Sequence, residues 1–168
     1  MTAASGAGSR PLRFRRMNRR DLPDVLDIER RSFSNPWPPS TFEGEIQNAG
    51  LSHPIIAVDA GTGRIAGYII YWVILDEVQI NNLAVHPDFR RRRVAETLLR
   101  EILDALPEQG IGFISLEVRM GNAAARSLYD KLGFKPIGTR TDYYSNPVED
   151  AVVMGLMLGP PSAGRPIQ

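Results

Sequence analysis

The hydrophobic and polar positions of this chain change repeatedly between the two-residue period of strands and the period of helices. Apolar runs and alternations predict seven strands, at residues 13–18, 54–60, 64–75, 77–85, 112–119, 135–144 and 149–158. Helical spacing predicts four helices: from an N-cap at Asp21 through Phe33, from Ser40 or Thr41 toward Asn48, from near Arg92 or Arg93 to residue 106, and from an N-cap at Asn122 to Phe134. This order predicts an α/β domain, with a mixed central β-sheet of about six to seven strands and helices on both faces.

Two departures from the pattern refine this prediction. Asn81 and Asn82 interrupt the apolar alternation of the strand at residues 77–85, which predicts a β-bulge there. Residues 1–10 and 159–168 are rich in small residues, glycine and proline, and are expected to be disordered tails. We therefore expect one domain over residues 11–158.

Composition narrows the possible chemistry. The 168 residues include no cysteine, which excludes disulfides, thiolate metal sites and a cysteine nucleophile. The two histidines alone cannot form a zinc site, and no metal is expected. The longest apolar run, residues 65–75, is too short to span a membrane, and the N-terminus lacks the apolar segment of a secretory signal. The expected location is the cytoplasm, with no membrane partner.

Arginine is clustered although the net charge is only +1. Four arginines, Arg90 to Arg93, stand between a predicted strand and a predicted helix, where free backbone N–H groups and the helix dipole favour an anion. The alternatives are a solvated helix start and a nucleic-acid patch. The cluster at residues 10–20 is a solvated tail and strand edge or an RNA-facing patch. The low net charge argues against direct binding of nucleic acid.

Several motifs in this context resemble one known family. The stretches "NPWPPSTF", "NLAVHPDFR", "LEVRMGNAAARSLYDKLGF" and "TDYYSNPVEDAVVM" are similar, in order and spacing, to the GNAT superfamily of acetyl-CoA-dependent N-acetyltransferases. The resemblance covers about residues 13–158 and implies the GNAT fold, with the sheet splayed at the cofactor site. Its phosphate loop, Q/R-x-x-G-x-G/A, corresponds to Arg90–Ala95, with Arg93 where the family has glycine. A left-handed conformation at Arg93 would cost about 1 kcal/mol.

The resemblance also implies an activity. It is strongest to bacterial enzymes that acetylate the N-terminal alanine of a ribosomal protein, so the expected partners are acetyl-CoA, as co-substrate, and a protein N-terminus. Because no cysteine can carry the acetyl group, we expect direct attack within a ternary complex. Two alternatives are a GNAT enzyme for a lysine side chain or small-molecule amine, and a non-catalytic CoA-binding or RNA-binding module.

By the same resemblance, the catalytic residues are Glu117, as general base, and Tyr129, as proton donor to the leaving sulfur. The structural alternatives are a glutamate paired with Arg119 or another arginine, and a half-buried tyrosine on an amphipathic helix. The residues expected at acetyl-CoA are Leu83, Ala84, Val85, Arg90, Arg91, Arg92, Arg93, Val94, Ala95, Glu96 and Asn122.

Three aromatic residues are the expected acceptor site. Tyr143 and Tyr144 would line the path of the peptide, and Trp37 would form a wall of the same groove. Because adjacent strand residues point to opposite faces, only one of the two tyrosines is expected to contact the acceptor. Trp37 could instead be a packing aromatic in a proline-rich turn.

Overall fold

The computed structural model describes residues 11–159, so the predicted tails, apart from Gly159, lie outside the described residues. The strands are β1 (Leu12–Arg16), β2 (Ser52–Asp59), β3 (Ile65–Ile74), β4 (Glu77–Val85), β5 (Phe113–Arg119), β6 (Lys135–Tyr144) and β7 (Glu149–Met157). The helices are α1 (Leu22–Ser32), α2 (Pro39–Gln47), α3 (Val94–Ala105) and α4 (Ala123–Lys131). Each predicted element is therefore present, with ends that differ by a few residues.

The seven strands form one mixed sheet in the order β1-β2-β3-β4-β5-β7-β6. Only β4 and β5 pair in parallel, and every other neighbouring pair is antiparallel. The predicted mixed sheet is confirmed. No helix between residues 11 and 159 is both long and apolar enough to cross a membrane.

Helices cover both faces of the sheet and divide the core in two. On one face, α1 and α2 pack on β2, β3 and β4 around Val25, Ile28, Phe42 and Tyr68, all fully buried. On the other face, the residues of α3 and α4 pack with the larger cluster, which includes Leu98. Burial of these apolar side chains is the main stabilising contribution to the domain.

The predicted bulge in β4 is confirmed and exchanges the two faces of the strand. The register between β3 and β4 shifts at Asn81, because Ile70 pairs with Asn82 and Tyr71 pairs with Ile80. Before the bulge, Ile80 belongs to the core beneath α3 and α4. After it, Asn82 forms a hydrogen bond to helix α1 on the opposite face. The extra residue therefore directs polar side chains toward α1 without breaking the strand.

Strands β4 and β5 separate immediately after this point. Their parallel pairing runs only from Glu77↔Phe113 to Ile80↔Leu116. Residues 82–85 of β4 remain paired with β3, and among the described residues they have no strand partner on the β5 side. The bulge therefore marks the position at which the sheet opens, and backbone groups along this edge of β4 are free to bind a ligand.

The predicted N-cap residue caps helix α4 but does not cap helix α1. Asn122 caps α4, because its Oδ1 accepts a 3.1 Å hydrogen bond from the Ala125 N–H, as expected. Asp21 precedes α1 but does not cap it. Its carboxylate instead binds Arg15 in a bidentate pair at 2.8 Å and accepts from the Asn18 N–H. The prediction of an Asp21 cap is wrong, because a charged guanidinium is the stronger partner.

Candidate active site

A cleft of about 1050 Å³ runs through the opening between β4 and β5. On the α3–α4 side of the sheet it is lined by β4, the start of α3 and the helix α4. Its other lining residues come from α1, the α1–α2 segment, β5 and the end of β6. Both proposed catalytic residues, Glu117 and Tyr129, line this single cleft. The fold thus brings residues from opposite faces of the sheet to one continuous space.

The free edge of β4 lies in the first half of the cleft. Leu83, Ala84 and Val85 all line it, as expected from the sequence. They follow the last residue of β4 that pairs with β5, so their backbone groups on that side have no strand partner. A ligand that carries amide groups can pair with such an edge in the way that a peptide adds to a sheet.

The arginine run forms a tight turn between this edge and helix α3. Arg91 and Arg93 both have positive φ, 63° and 58°, and Arg93 adopts the left-handed conformation directly before α3. The predicted strain at Arg93 is therefore present. This conformation exposes the N-terminus of α3 to the cleft, and free N–H groups at a helix N-terminus favour a phosphate.

Not every residue expected at this turn faces the cleft. Arg90 and Ala95 line it. Arg92 lies over the Phe89 ring at 5.4 Å, and Val94 is buried in the core. The Glu96 side chain forms ion pairs with two neighbouring cations at the surface. Its carboxylate binds Lys131 of α4 at 3.1 Å and Arg100 at 3.0 Å, and joins α3 to α4. The side chains of Val94 and Glu96 thus have structural partners, which leaves their backbone groups as the possible ligand contacts.

Asn122 and Tyr129 of helix α4 both line the cleft. The Tyr129 side chain is 7% exposed, and its ring packs edge-on against Phe134. Burial, and secondarily the neighbouring Tyr144, raise the pKa of Tyr129 above its usual value. The hydroxyl therefore remains protonated at neutral pH and is available as a proton donor.

Glu117 lies on β5 and faces the α1 side of the sheet. Its side chain is only 15% exposed, and its Oε1 is 2.7 Å from Nε of Arg140 on β6. Arg119 is not its partner, because Arg119 pairs with Glu149 at 3.3 Å. Glu117 therefore combines the two interpretations of the sequence: it belongs to an ion pair and it lines the cleft.

Tyr143 and Tyr144 both line the cleft, so strand alternation does not separate them, and which of the two contacts the acceptor stays a prediction. The register between β6 and β7 shifts between Arg140 and Tyr144, and Asp142 has a φ of 50°. This irregularity cancels the strand alternation, and the two rings meet edge-on with centroids 5.0 Å apart. A hydrogen bond to Glu117, followed by burial, raises the pKa of Tyr143. Burial, followed by the Glu117 charge, raises the pKa of Tyr144 to about 12.

Trp37 also lines the cleft and at the same time packs on Phe42, with ring centroids 5.5 Å apart. Its backbone N–H donates a 3.0 Å hydrogen bond to Oε1 of Glu29. Glu29 is 1% exposed, and its Oε2 accepts from the Tyr68 hydroxyl and, at 2.9 Å, from Asn82. One buried carboxylate therefore joins α1, the α1–α2 segment, β3 and the bulged part of β4.

Two site residues were not expected from the sequence. Glu29 shares the helical spacing of the apolar Leu22 and Val25, and a glutamate at such a position was the signal that could have identified it. Arg140 had no local signal at all, since it is one polar residue in a polar strand. Among residues 11–159, no group of three or more histidine, cysteine, aspartate or glutamate side chains is arranged to hold a metal ion.

The mixed sheet that opens between β4 and β5 is the fold of a family of acyltransferases. The chain matches the Acetyltransferase (GNAT) family over residues 22–134 and belongs to that family. It is therefore an N-acetyltransferase, and acetyl-CoA is the acetyl donor that the family uses. The free edge of β4 and the exposed N-terminus of α3 fit the amides and the phosphates of such a donor.

Two relatives of known name carry out the same acetylation in two bacteria. The chain is 39% identical over 140 residues to the [ribosomal protein bS18]-alanine N-acetyltransferase of Salmonella typhimurium, covering 82% of this chain and 92% of that protein. It is 36% identical over the same length, with the same coverage, to the enzyme of that name from Escherichia coli strain K12.

The solved structures agree. The crystal structure of the ribosomal-protein-S18-alanine N-acetyltransferase from Escherichia coli superposes with a TM-score of 0.82 at 32% identity. The match covers 94% of this chain and 99% of that one.

Proposed function

We propose that this protein acetylates the α-amino group of a protein N-terminal residue, and that its substrate is the N-terminal alanine of a ribosomal protein. The observation that carries the proposal is the placement of Glu117 and Tyr129 in one cleft on either side of the opening between β4 and β5. The relatives at 36–39% identity over most of the chain are [ribosomal protein bS18]-alanine N-acetyltransferases, which supports this choice of acceptor. A cytoplasmic location, where ribosomal proteins are made, belongs to the same proposal.

We assign the acetyl donor to the part of the cleft lined by the free edge of β4 and the arginine turn, and we call this part the donor half. The acceptor half is the part lined by α1, the α1–α2 segment, β5 and the end of β6. Leu83, Ala84 and Val85 would pair with the amides of the CoA arm through their backbone groups. The backbone N–H groups of the turn and of the start of α3 would bind the pyrophosphate, with arginine charge as a supplement. Asn122 would contact the arm in addition to capping α4. Bound in this way, the donor supplies the acetyl group at the centre of the cleft.

Glu117 and Tyr129 then move the protons. Glu117 takes a proton from the amine, directly or through a water, as the amine nitrogen forms its bond to the thioester carbonyl. The carbon–sulfur bond breaks, and the Tyr129 hydroxyl gives its proton to the leaving sulfur. The products are an acetylated N-terminus and CoA as its thiol. Return of the Glu117 proton to solvent, and of a solvent proton to Tyr129, restores the protein.

The acceptor half of the cleft favours the end of a chain. Asn35 in the α1–α2 segment donates hydrogen bonds of 2.7 and 2.9 Å to the carbonyl and hydroxyl oxygens of Ser145, in the turn between β6 and β7. These two segments line or adjoin the acceptor half and are connected at its rim. An acceptor that approaches by its terminus fits this arrangement better than an internal side chain.

The charge of the amine supports the same substrate class. An α-amino group has a pKa of about 8 and a lysine about 10.4, so making a lysine neutral costs roughly 3 kcal/mol more. One carboxylate acting as the base is adequate for the first group and less so for the second.

The test is acetylation of two matched peptides by the purified protein, followed by mass spectrometry. One peptide begins with a free alanine and has its lysines blocked. The other has the same sequence with a blocked N-terminus and one free lysine. We expect acetylation of the first only, and loss of one ribosomal-protein N-terminal acetyl group in cells that lack the gene. Efficient acetylation of the lysine peptide would instead support the lysine alternative.

A further inference from the structure

Glu117 is already paired with a cation in the acceptor half of the cleft. Its Oε1 lies 2.7 Å from Nε of Arg140, in an ion pair that joins β5 to β6. The Glu117 side chain is 15% exposed, whereas Arg140 is 58% exposed. The arginine thus approaches the carboxylate from the solvent side, which is the side from which an acceptor must arrive.

Arg140 differs in this respect from the other charged groups around Glu117. Arg119 on β5 is committed elsewhere, since it pairs with Glu149 and donates to the carbonyl oxygens of Ser145 and Pro147. Tyr143 and Tyr144, which also face Glu117, are neutral at physiological pH because both have raised pKa values. Within residues 11–159, the ion pair of Arg140 is with Glu117 alone.

This pairing matters because of the charge of the acceptor. An α-amino group with a pKa of about 8 is mostly an ammonium ion at pH 7. An ammonium ion has no free lone pair and cannot attack a carbonyl carbon. An unpaired carboxylate in the cleft would stabilise this unreactive form. A guanidinium already bound to the carboxylate opposes a second cation and favours the neutral amine.

We propose that Arg140 is a positioning residue that fixes the Glu117 carboxylate and, by its positive charge, keeps the bound acceptor amine neutral. This inference rests on the proposed function, in which Glu117 takes the proton of the amine. A carboxylate offers about four acceptor positions, and the contact with Arg140 occupies one of them, at Oε1. Glu117 therefore retains positions at which to accept the proton.

The ring of Tyr143 supports the arrangement. The Arg140 guanidinium carbon lies 5.7 Å from the centre of this ring, within the range of a cation–π contact. Tyr143 also lies close enough to Glu117 for the carboxylate to raise the pKa of its hydroxyl. The three side chains form a closed triangle at the rim of the cleft, so an exposed arginine is held over the carboxylate by two contacts.

The test is the pH dependence of kcat for Arg140→Gln and Arg140→Lys with an alanine-first peptide at saturating acetyl-CoA. Loss of a charge at this distance shifts the pKa of the bound amine by about one unit, the lower end for neighbouring charges, because Arg140 is exposed. The pKa of the bound amine then rises from about 7 to about 8, so Arg140→Gln should show kcat about 5-fold lower at pH 7 and close to wild type at pH 9.5. Arg140→Lys keeps the charge and should keep the wild-type profile within a few fold. Lys135→Gln, an exposed change on the same strand, is the matched control.

A second acceptor separates charge from structure. A peptide that begins with trifluoroalanine carries an amine that is already neutral at pH 7, because fluorine withdraws electrons. For this peptide, the ratio of kcat between wild type and Arg140→Gln should fall to about one. The same deficit at every pH and with both peptides, or no deficit at all, would overturn the inference. If the wild-type protein acetylates neither peptide, the proposed function fails instead, and this is a separate result.

Discussion

The Nδ2 of Asn82 donates a 2.9 Å hydrogen bond to Oε2 of Glu29 and so joins the bulged part of β4 to helix α1. The two residues lie 53 positions apart in the chain. Both are buried, and the same carboxylate also binds Tyr68 and the backbone of Trp37. The bulged part of β4, where the sheet opens, and the position of Trp37 in the cleft therefore depend on one glutamate.

Glu29→Gln should destabilise the fold. The glutamine amide replaces one carboxylate oxygen by an NH₂ group. This group would point its hydrogens at a donor that now bonds to the carboxylate. Hydrogen bonds to a charged group contribute about 1.5–3 kcal/mol, so we expect a loss of roughly 2–3 kcal/mol in the free energy of unfolding. Urea denaturation measures it. Glu43→Gln, on the exposed part of α2, is the control and should change stability by less than about 0.5 kcal/mol. Equal effects of the two changes would contradict the assigned role of Glu29.

Glu117→Gln should lower kcat by about 10² to 10⁴-fold, the range for a lost general base, and leave acetyl-CoA affinity almost unchanged. The carboxylate lies in the acceptor half of the cleft, whereas the donor is assigned to the other half. Steady-state kinetics with an alanine-first peptide and calorimetric titration with acetyl-CoA measure the two quantities. An unchanged kcat would remove Glu117 from the mechanism.

Tyr129→Phe should reduce kcat more than it raises the KM for the peptide. The hydroxyl is proposed to act as the carbon–sulfur bond breaks, so its contribution arises in the transition state and not on binding. The change removes one oxygen and leaves the packing on Phe134 in place. Kinetics over a range of peptide concentrations distinguish the two effects. An increase in KM alone would show that Tyr129 binds the acceptor and does not donate a proton.

Arg93→Gly should stabilise the protein by about 1 kcal/mol, because glycine adopts the left-handed conformation without steric cost. Thermal unfolding should shift upward by about 2–4 °C for a chain of this size. The matched control is Arg92→Gly, since Arg92 has no positive φ and would lose its contact with the Phe89 ring. This control should lower the stability.

The acetyl-CoA affinity of Arg93→Gly should stay within a few fold of wild type, because closer backbone approach offsets a lost charge. Failure of both wild type and Arg93→Gly to bind CoA would refute the phosphate-binding assignment.

The tyrosines should make the protein sensitive to alkaline pH. The chain has five, Tyr68, Tyr71, Tyr129, Tyr143 and Tyr144, and the pKa of each is raised in the folded state. Burial is the first cause for all except Tyr143, for which it is the hydrogen bond to Glu117. Raised folded values mean that this stabilisation is complete below the unfolded pKa of about 10 and is lost as pH rises above it.

Phenolate absorbance of the folded protein should therefore remain low at pH 10, while the protein in guanidinium chloride titrates normally. The unfolding free energy should fall between pH 10 and about 12, the value for Tyr144. Tyr144→Phe should remove part of this dependence. A normal titration of all five tyrosines in the folded protein would contradict the burial described above.

Local signals in the sequence determined much of this protein. Two adjacent asparagines in an apolar strand predicted the bulge at which β4 leaves β5, and Asn122 predicted its own helix cap. An arginine at a family glycine predicted the strained turn before α3. Each of these features depends on backbone geometry within a few residues, so the sequence of that segment is sufficient to specify it.

Only the tertiary structure decided which side chains meet. Arg140 binds Glu117 because the sheet order places β7 and then β6 beside β5, and Glu29 collects donors from three separate elements. Tyr143 and Tyr144 share the cleft because a register shift in β6 cancels the alternation. The hydrophobic periodicity of the sequence indicates which face of its own helix or strand a residue occupies. Strand order, register and the partner across a buried space are set by contacts between distant segments.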